Sequence, residues 1–118
     1  MDDGTLRHFS DDECIALLGA SGVARVAFSR HALPVIDPVH YRLAGDLLVI
    51  AGEARGSIAT SAEDRHVVCF ETEGLSGDGS ARWVVQVTGL LGADGEHQVL
   101  DLATAIIAGR VWSTRFQH

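Results

Sequence analysis

Hydrophobic and polar positions alternate most clearly between residues 23 and 58, where two short polar breaks separate three apolar runs. The runs at 23–29, 33–43 and 47–51 are interpreted as β-strands, and the first shows the period of two that is typical of them. Ala44, Gly45 and Asp46 separate the second run from the third and indicate a hairpin turn. The third run is apolar on both faces, which predicts a central strand.

A loop at 52–56 follows the third run, and a short helix is predicted at 57–62. The loop would deliver backbone N–H groups to the start of that helix, which is where a phosphate can bind. The segment therefore suggests both an antiparallel meander and an anionic ligand.

Two more helices and two more strands are predicted in the rest of the chain. Ser10 and Glu13 form a capping-box pattern, which places the start of a helix at 10–20. Strands are predicted at 66–73 and 81–91. Helical spacing of apolar residues predicts a second long helix at 96–108; those residues are Val99, Leu102, Ala103, Ile106 and Ile107. The tail at 110–118 alternates weakly and is a candidate for one further short strand, and the sequence leaves its role open.

Together these elements predict one domain over residues 1–118 that is mainly β. We expect a split β-barrel of five to six antiparallel strands with two or three helices. A chain of 118 residues is long enough for one modest core.

The net charge of −7 argues against nucleic-acid binding, which requires a basic face. No apolar run is long enough for a membrane span, and the acidic N-terminus does not resemble a secretory signal. We therefore expect a cytoplasmic protein without nucleic-acid or membrane partners. All nine basic residues are arginine, so an anion site here must use arginine, a hydroxyl or backbone N–H.

The sequence contains no familiar catalytic or metal-binding motif. The six histidines lack a metal-ligand spacing, so no metal site is predicted. Cys14 and Cys69 are far apart in apolar contexts and are interpreted as two small buried thiols. Glu71 and Glu73 share a strand face, where a solvated strand end is favoured over a paired-carboxylate site.

In order and spacing, several segments resemble the pyridoxamine 5′-phosphate oxidase-like FMN-binding split barrels, in particular the small actinobacterial members. The matching segments cover roughly residues 6–92 and are Arg25-Val26-Ala27-Phe28-Ser29, Leu33-Pro34-Val35, Pro38-Val39-His40-Tyr41, Gly45-Asp46-Leu47 and Gly56-Ser57.

The resemblance implies a homodimer that holds FMN in clefts between its subunits and acts as a flavin-dependent oxidoreductase. Carried over by position, it implies three groups of cofactor residues. Those near the flavin are Arg25, Val39 and His40; those under the ring or ribityl chain are Ile50, Ala51 and Gly52; and those around the phosphate are Arg55, Gly56 and Ser57.

The chain also departs from the family pattern. Ile58 stands where the family usually carries a phosphate-pairing lysine, and Glu53 adds a negative charge beside the predicted phosphate. Arg55 is a candidate substitute for the lysine, because a guanidinium can bind phosphate through two donors. The resemblance fades beyond residue 92, and oxidation of pyridoxamine phosphate itself is not expected.

These departures leave an alternative open: a non-catalytic, dimeric ligand-binding barrel with weak or no FMN affinity. A deazaflavin or haem is a weaker option, supported by His40 alone. The substrate and the catalytic residues are not predicted.

Arg25 has two interpretations, because a charge inside an apolar strand requires a partner. It forms either an ion pair with an acidic residue or a contact with an anion or flavin.

Overall fold

The structure, a computed structural model, describes residues 7–20, 22–51, 66–95 and 97–113. Within these ranges the chain forms one helix and eight strands. In chain order they are β1 (Arg7–His8), α1 (Asp11–Leu18), β2 (Val23–Arg30), β3 (Leu33–Ala44), β4 (Leu47–Ala51), β5 (Val67–Leu75), β6 (Ala81–Asp94), β7 (His97–Asp101) and β8 (Ile106–Ser113).

Six of the strands close into an antiparallel barrel in the order β6-β5-β2-β3-β4-β7, with β7 pairing back onto β6. β8 extends the sheet on the other side of the first part of β6, and β1 pairs with β8. The prediction of a mainly β split barrel is therefore confirmed, and of the five to six strands predicted for the barrel it has six. β4 lies between β3 and β7, as its apolar character predicts.

The barrel interior is filled by alternating apolar side chains from every strand of the barrel. Phe70, Leu48, Leu91 and Leu100 are fully buried there, and the ring of Tyr41 meets that of Phe70 edge to face at 4.8 Å. Such a pair adds about 1 kcal/mol to the burial of its rings.

The helix α1 packs against β6 and β8 and adds its own buried side chains to this core. Cys14 and Leu18 of α1 are both fully buried. The hydroxyl of Tyr41 donates a hydrogen bond of 2.7 Å to the backbone carbonyl of Leu18, which joins the helix to the barrel. No helix within the described ranges is long and apolar enough to cross a membrane.

The predicted helix at 96–108 is wrong, because this segment forms β7, a turn and β8. Asp101 accepts hydrogen bonds from the N–H of Ala103 and the N–H of Thr104, which builds a tight turn at the centre of the predicted helix. The short helix predicted at 57–62 lies outside the described residues, so the described part contains one helix rather than two or three.

Candidate functional site

Register places the described cofactor candidates where β3 passes from its pairing with β2 to its pairing with β4. His40 lies opposite Val23 of β2 on one side and opposite Ala51 of β4 on the other. Val39 pairs with Ala24, and Ile50 pairs with Tyr41. The meander therefore brings the predicted residues of β3 and β4 together.

The side chains at this position do not all point the same way. Val39 packs against the core and Ile50 is buried within it, so neither side chain reaches a ligand outside the barrel. The backbone of Ile50 lies between Tyr41 of β3 and Gln98 of β7 in the sheet. His40 is exposed on the opposite side of β3. We call this outward side, together with the matching positions of β2, β5, β6 and β8, the outer face.

Arg25 lies on the same outer face, on β2 and opposite Pro38. Its guanidinium donates a hydrogen bond of 2.9 Å to Glu71 and lies 3.4 Å from Glu73, so the ion-pair interpretation of Arg25 is confirmed. The Arg25 side chain is still 45% exposed, which leaves part of the guanidinium open to a further contact. The flavin contact of Arg25 stays a prediction.

The two carboxylates belong to a longer row of four charged side chains and one amide, which we call the charged ladder: Arg25, Glu71, Glu73, Arg82 and the amide Gln86. Gln86 donates to Glu71 at 2.8 Å, and Arg82 donates to Glu73 at 3.0 Å. Partial burial disfavours the Glu71 carboxylate, but hydrogen bonds from Arg25 and Gln86 outweigh it and lower the pKa of Glu71. Glu71 and Glu73 are therefore paired with cations rather than forming an unpartnered carboxylate pair.

Next to the ladder, an open cavity of about 430 Å³ lies on the outer face between β2, β5 and β6. Its walls include Ala27, Val67 and Cys69, with the hydroxyl-bearing Ser29 and Thr88 at the same site. None of the five cofactor candidates that the structure describes, Arg25, Val39, His40, Ile50 and Ala51, lines this cavity. Cys69 is only half-buried, so the prediction of two buried thiols holds for Cys14 alone.

The remaining cofactor candidates lie outside the described residues. They belong to the segment that follows β4 and are Gly52, Arg55, Gly56 and Ser57. The same segment contains Glu53 and Ile58. The phosphate assignment therefore remains a prediction from the sequence.

Within the described ranges, no group of three or more His, Cys, Asp or Glu side chains is placed to hold a metal ion.

Comparison with known proteins agrees with this architecture. The sequence profile described as pyridoxamine 5′-phosphate oxidase matches residues 10–116. The fold is thus that of the split-barrel proteins, and the chain belongs to the pyridoxamine 5′-phosphate oxidase family. The match continues through β7 and β8, so the expectation that the resemblance fades beyond residue 92 is wrong.

One relative matches about two thirds of this chain in sequence. The uncharacterized protein Rv0080 of Mycobacterium tuberculosis is 31% identical over 83 residues, which are 67% of this chain and 55% of that protein. This chain therefore matches little more than half of that relative's length.

Two solved structures superpose over most of their length. An FAD-binding protein of Mycobacterium smegmatis gives a TM-score of 0.71 at 22% identity, covering 91% of this chain and 98% of its own. An FAD-binding protein of Mesorhizobium loti gives 0.75 at 17% identity, covering 93% of this chain and 98% of its own. At these identities the likeness establishes the fold alone.

Proposed function

We propose that this protein binds a flavin, FMN, through the outer side of β2–β4 and the segment after β4. The observation that carries the proposal is the family match over residues 10–116. The two solved neighbours named FAD-binding proteins support it, because FAD contains the whole FMN group. The meeting of Val39, His40 and Ala51 at one point of the sheet adds a local reason.

The described residues fit the edge of a flavin. His40 and Arg25 present their side chains on one face, while β3 and β4 supply backbone groups beside them. Glu71 and Glu73 hold the Arg25 guanidinium in place, so that it loses little further freedom on binding a ligand. Arg55, Gly56 and Ser57 would hold the phosphate through a guanidinium, a hydroxyl and backbone N–H.

We further propose that the protein is an oxidoreductase and works as a homodimer with the flavin between its subunits. When bound, a flavin supplies hydride and electron transfer, and the protein contributes position and electrostatics.

The second candidate function is that of a non-catalytic barrel with weak flavin affinity. The pairing of Arg25 with two carboxylates favours it, because the positive charge of Arg25 is already neutralised.

Titration of the purified protein with FMN and, separately, with FAD tests the flavin proposal. We expect quenching of the fluorescence of FMN and the visible absorption of a bound oxidised flavin. Tighter binding of FAD than of FMN would transfer the proposal from FMN to FAD. No quenching by either, up to high micromolar concentrations, would contradict the flavin proposal.

An Arg55→Ala variant tests the phosphate assignment separately. Loss of a charge-assisted contact of about 1.5–3 kcal/mol weakens FMN binding by about ten- to a hundredfold. Arg7→Ala is the matched control, since Arg7 is an exposed arginine on β1 that pairs with Glu13. Unchanged FMN affinity in Arg55→Ala would refute the role of Arg55.

Bleaching of the bound flavin by NADH or NADPH would favour the oxidoreductase over the non-catalytic barrel.

A further inference from the structure

Part of the outer face carries a local excess of positive charge on an otherwise acidic chain. Where β8, β6, β5 and β2 pair with one another, the charged positions of this face are three arginines and two glutamates: Arg25, Glu71, Glu73, Arg82 and Arg110. Three positive charges against two negative ones leave a net charge of +1, whereas the whole chain carries −7. A positive region of this kind attracts anions.

Arg110 is the arginine that this arrangement leaves without a carboxylate partner. Glu71 and Glu73 pair with Arg25 and Arg82 at distances from 2.9 to 3.4 Å. Among the residues that the structure describes, Arg110 forms no hydrogen bond or ion pair, although it is half-buried. Burial opposes the lowered pKa of Glu71, hydrogen bonds within the charged ladder produce it, and Arg110 adds a smaller electrostatic effect. A half-buried guanidinium with unused donors indicates a further anionic partner.

Trp112 supports the Arg110 guanidinium while leaving its donors available. Cζ of Arg110 lies over the indole ring of Trp112, 6.0 Å from the ring centroid. A guanidinium in such a contact interacts with the ring through its charge and its flat face, whereas its N–H donors lie along its edge. An anion with two oxygens can therefore bind along that edge without displacing Trp112.

Register places two more groups that can bind anions beside Arg110. His8 of β1 lies directly opposite Arg110, so the two side chains share the outer face. Arg82 lies opposite Trp112, which makes it a diagonal neighbour of Arg110 at about 7–8 Å, within reach of a shared ligand. Gly109 is consistent with this direction, because a Cβ there would meet α1 on the other side of β8. The Arg82 side chain is 46% exposed, so its ion pair leaves donors open to a ligand.

We propose that Arg110, together with Arg82 and His8, binds the carboxylate or phosphate group of a small molecule at the β1–β8 end of the outer face. We call these three residues the arginine site. His40, on the same face, lies four strands away on β3, about 19 Å along the sheet. The arginine site is therefore separate from the proposed flavin site and takes a second, anionic ligand. This inference goes beyond the proposed flavin binding and does not depend on it.

Titration of the full chain, without flavin, with inorganic phosphate and separately with malonate tests the arginine site. Ionic strength is held constant with sodium chloride, so that screening is separated from binding. A ligand that binds only the folded chain raises the melting temperature by mass action, and we expect a saturable rise at about millimolar concentrations of at least one anion. The anion that gives the larger rise identifies the preferred group. No saturable rise with either anion would contradict the proposal.

An Arg110→Gln variant tests the central residue of the site, and Arg7→Gln is its matched control. Glutamine removes the charge, so we expect the affinity for the anion to fall by about ten- to a hundredfold. Arg7 precedes His8 on β1 but faces the other side of the sheet, where it pairs with Glu13, so its loss should leave the affinity unchanged. Arg110→Lys keeps the charge without the planar fork and should bind with intermediate affinity. The melting temperature without ligand shows whether each variant is folded.

The outcomes separate the arginine site from the proposed flavin site. Weaker anion binding in Arg110→Gln, with unchanged binding in Arg7→Gln and Arg55→Ala, supports the proposal. A loss in Arg55→Ala alone would assign the anion to the segment after β4 and overturn the proposal. Equal losses in Arg110→Gln and Arg7→Gln would indicate a response to net charge and overturn it as well. None of these results decides whether a flavin binds, which the FMN titration tests separately.

Discussion

At the scale of single residues, Gly74 illustrates how a missing side chain is used for packing. Gly74 lies opposite Trp83, and a Cβ at position 74 would be 2.6 Å from Cζ2 of the indole. Trp83 itself packs against the core, so the ring cannot move aside freely. We expect Gly74→Ala to lower the free energy of unfolding by about 1–3 kcal/mol, measured by urea denaturation.

Gly77 provides the control for this prediction within the same β5–β6 hairpin. A Cβ at position 77 would have no atom within 4 Å. Gly77→Ala should therefore leave stability unchanged or raise it by up to about 1 kcal/mol, because alanine restricts the unfolded chain. Equal losses in both variants would show that the backbone, rather than the contact with Trp83, is responsible.

The sequence predicted individual residues well where the reason was local. Alternation in the predicted strand at 81–91 puts Trp83, Val85 and Val87 on one face, and in the structure Val85 and Val87 lie in the core with Trp83 packed against it. The sequence did not resolve the partner of Arg25, because Glu71 is 46 residues away and the pairing of β2 with β5 skips two intervening strands. Glu71 and Glu73 were visible on one face of a predicted strand. Whether Arg25 lies beside them depends on the order of the strands in the sheet.

At the scale of elements, the start of α1 follows directly from its sequence. The Ser10 hydroxyl accepts from the N–H of Glu13, and the Glu13 carboxylate accepts from the N–H of Ser10, so the predicted capping box is confirmed. We expect Ser10→Ala to cost about 1 kcal/mol in the free energy of unfolding. Thermal or urea unfolding of the two proteins checks it.

Ser10→Asp is the control, because aspartate also accepts from backbone N–H at this position and suits the positive end of a helix. Its stability should stay near that of the wild type. A loss in Ser10→Asp as large as that in Ser10→Ala would contradict the capping explanation.

The wrong helix at 96–108 shows where local pattern is insufficient. Its apolar spacing satisfies a helix, but in the structure Val99 lies in β7, Leu102 and Ala103 lie in the turn, and Ile106 and Ile107 begin β8. β7 gains hydrogen-bonding partners from both β4 and β6, and β8 gains them from β6 and β1. Tertiary pairing of this kind overrides a weak helical preference, and no feature of the segment alone reveals that the partners exist.

At the scale of the whole molecule, β6 determines how the barrel closes. Its first part, up to Leu90, pairs with β5 and β8, and the residues from Leu91 to Asp94 pair with β7 instead. This change of partner joins the two ends of the six-stranded sheet. The sequence predicted a strand that ends at residue 91, whereas the strand continues to Asp94 and the turn follows at Gly95. The barrel class was therefore predictable, but the residues that close it were not.

The charged ladder joins three strands of this barrel, so its protonation affects the stability of the whole molecule. The pKa of Glu71 is lowered from its ordinary value of 4.5 in the folded chain. Between that value and the lower folded one, the unfolded chain binds more protons, so stability is lost as the pH falls. We expect the free energy of unfolding, measured at one protein concentration, to decline below about pH 4.5.

Substitution assigns part of this decline to the pair of Arg25 and Glu71. The Glu71 side chain is 29% exposed and Arg25 more so, which limits the contribution to about 0.5–1 kcal/mol. Glu71→Gln removes the titrating group, and Arg25→Gln removes the donor that lowers its pKa, so each variant should show a shallower acid decline. Arg25 also lies 3.4 Å from Glu73, but its shorter contact is with Glu71, so we expect the double variant to be no shallower than Glu71→Gln alone. Additive flattening in the double variant would mean that other carboxylates, rather than this pair, govern the acid response.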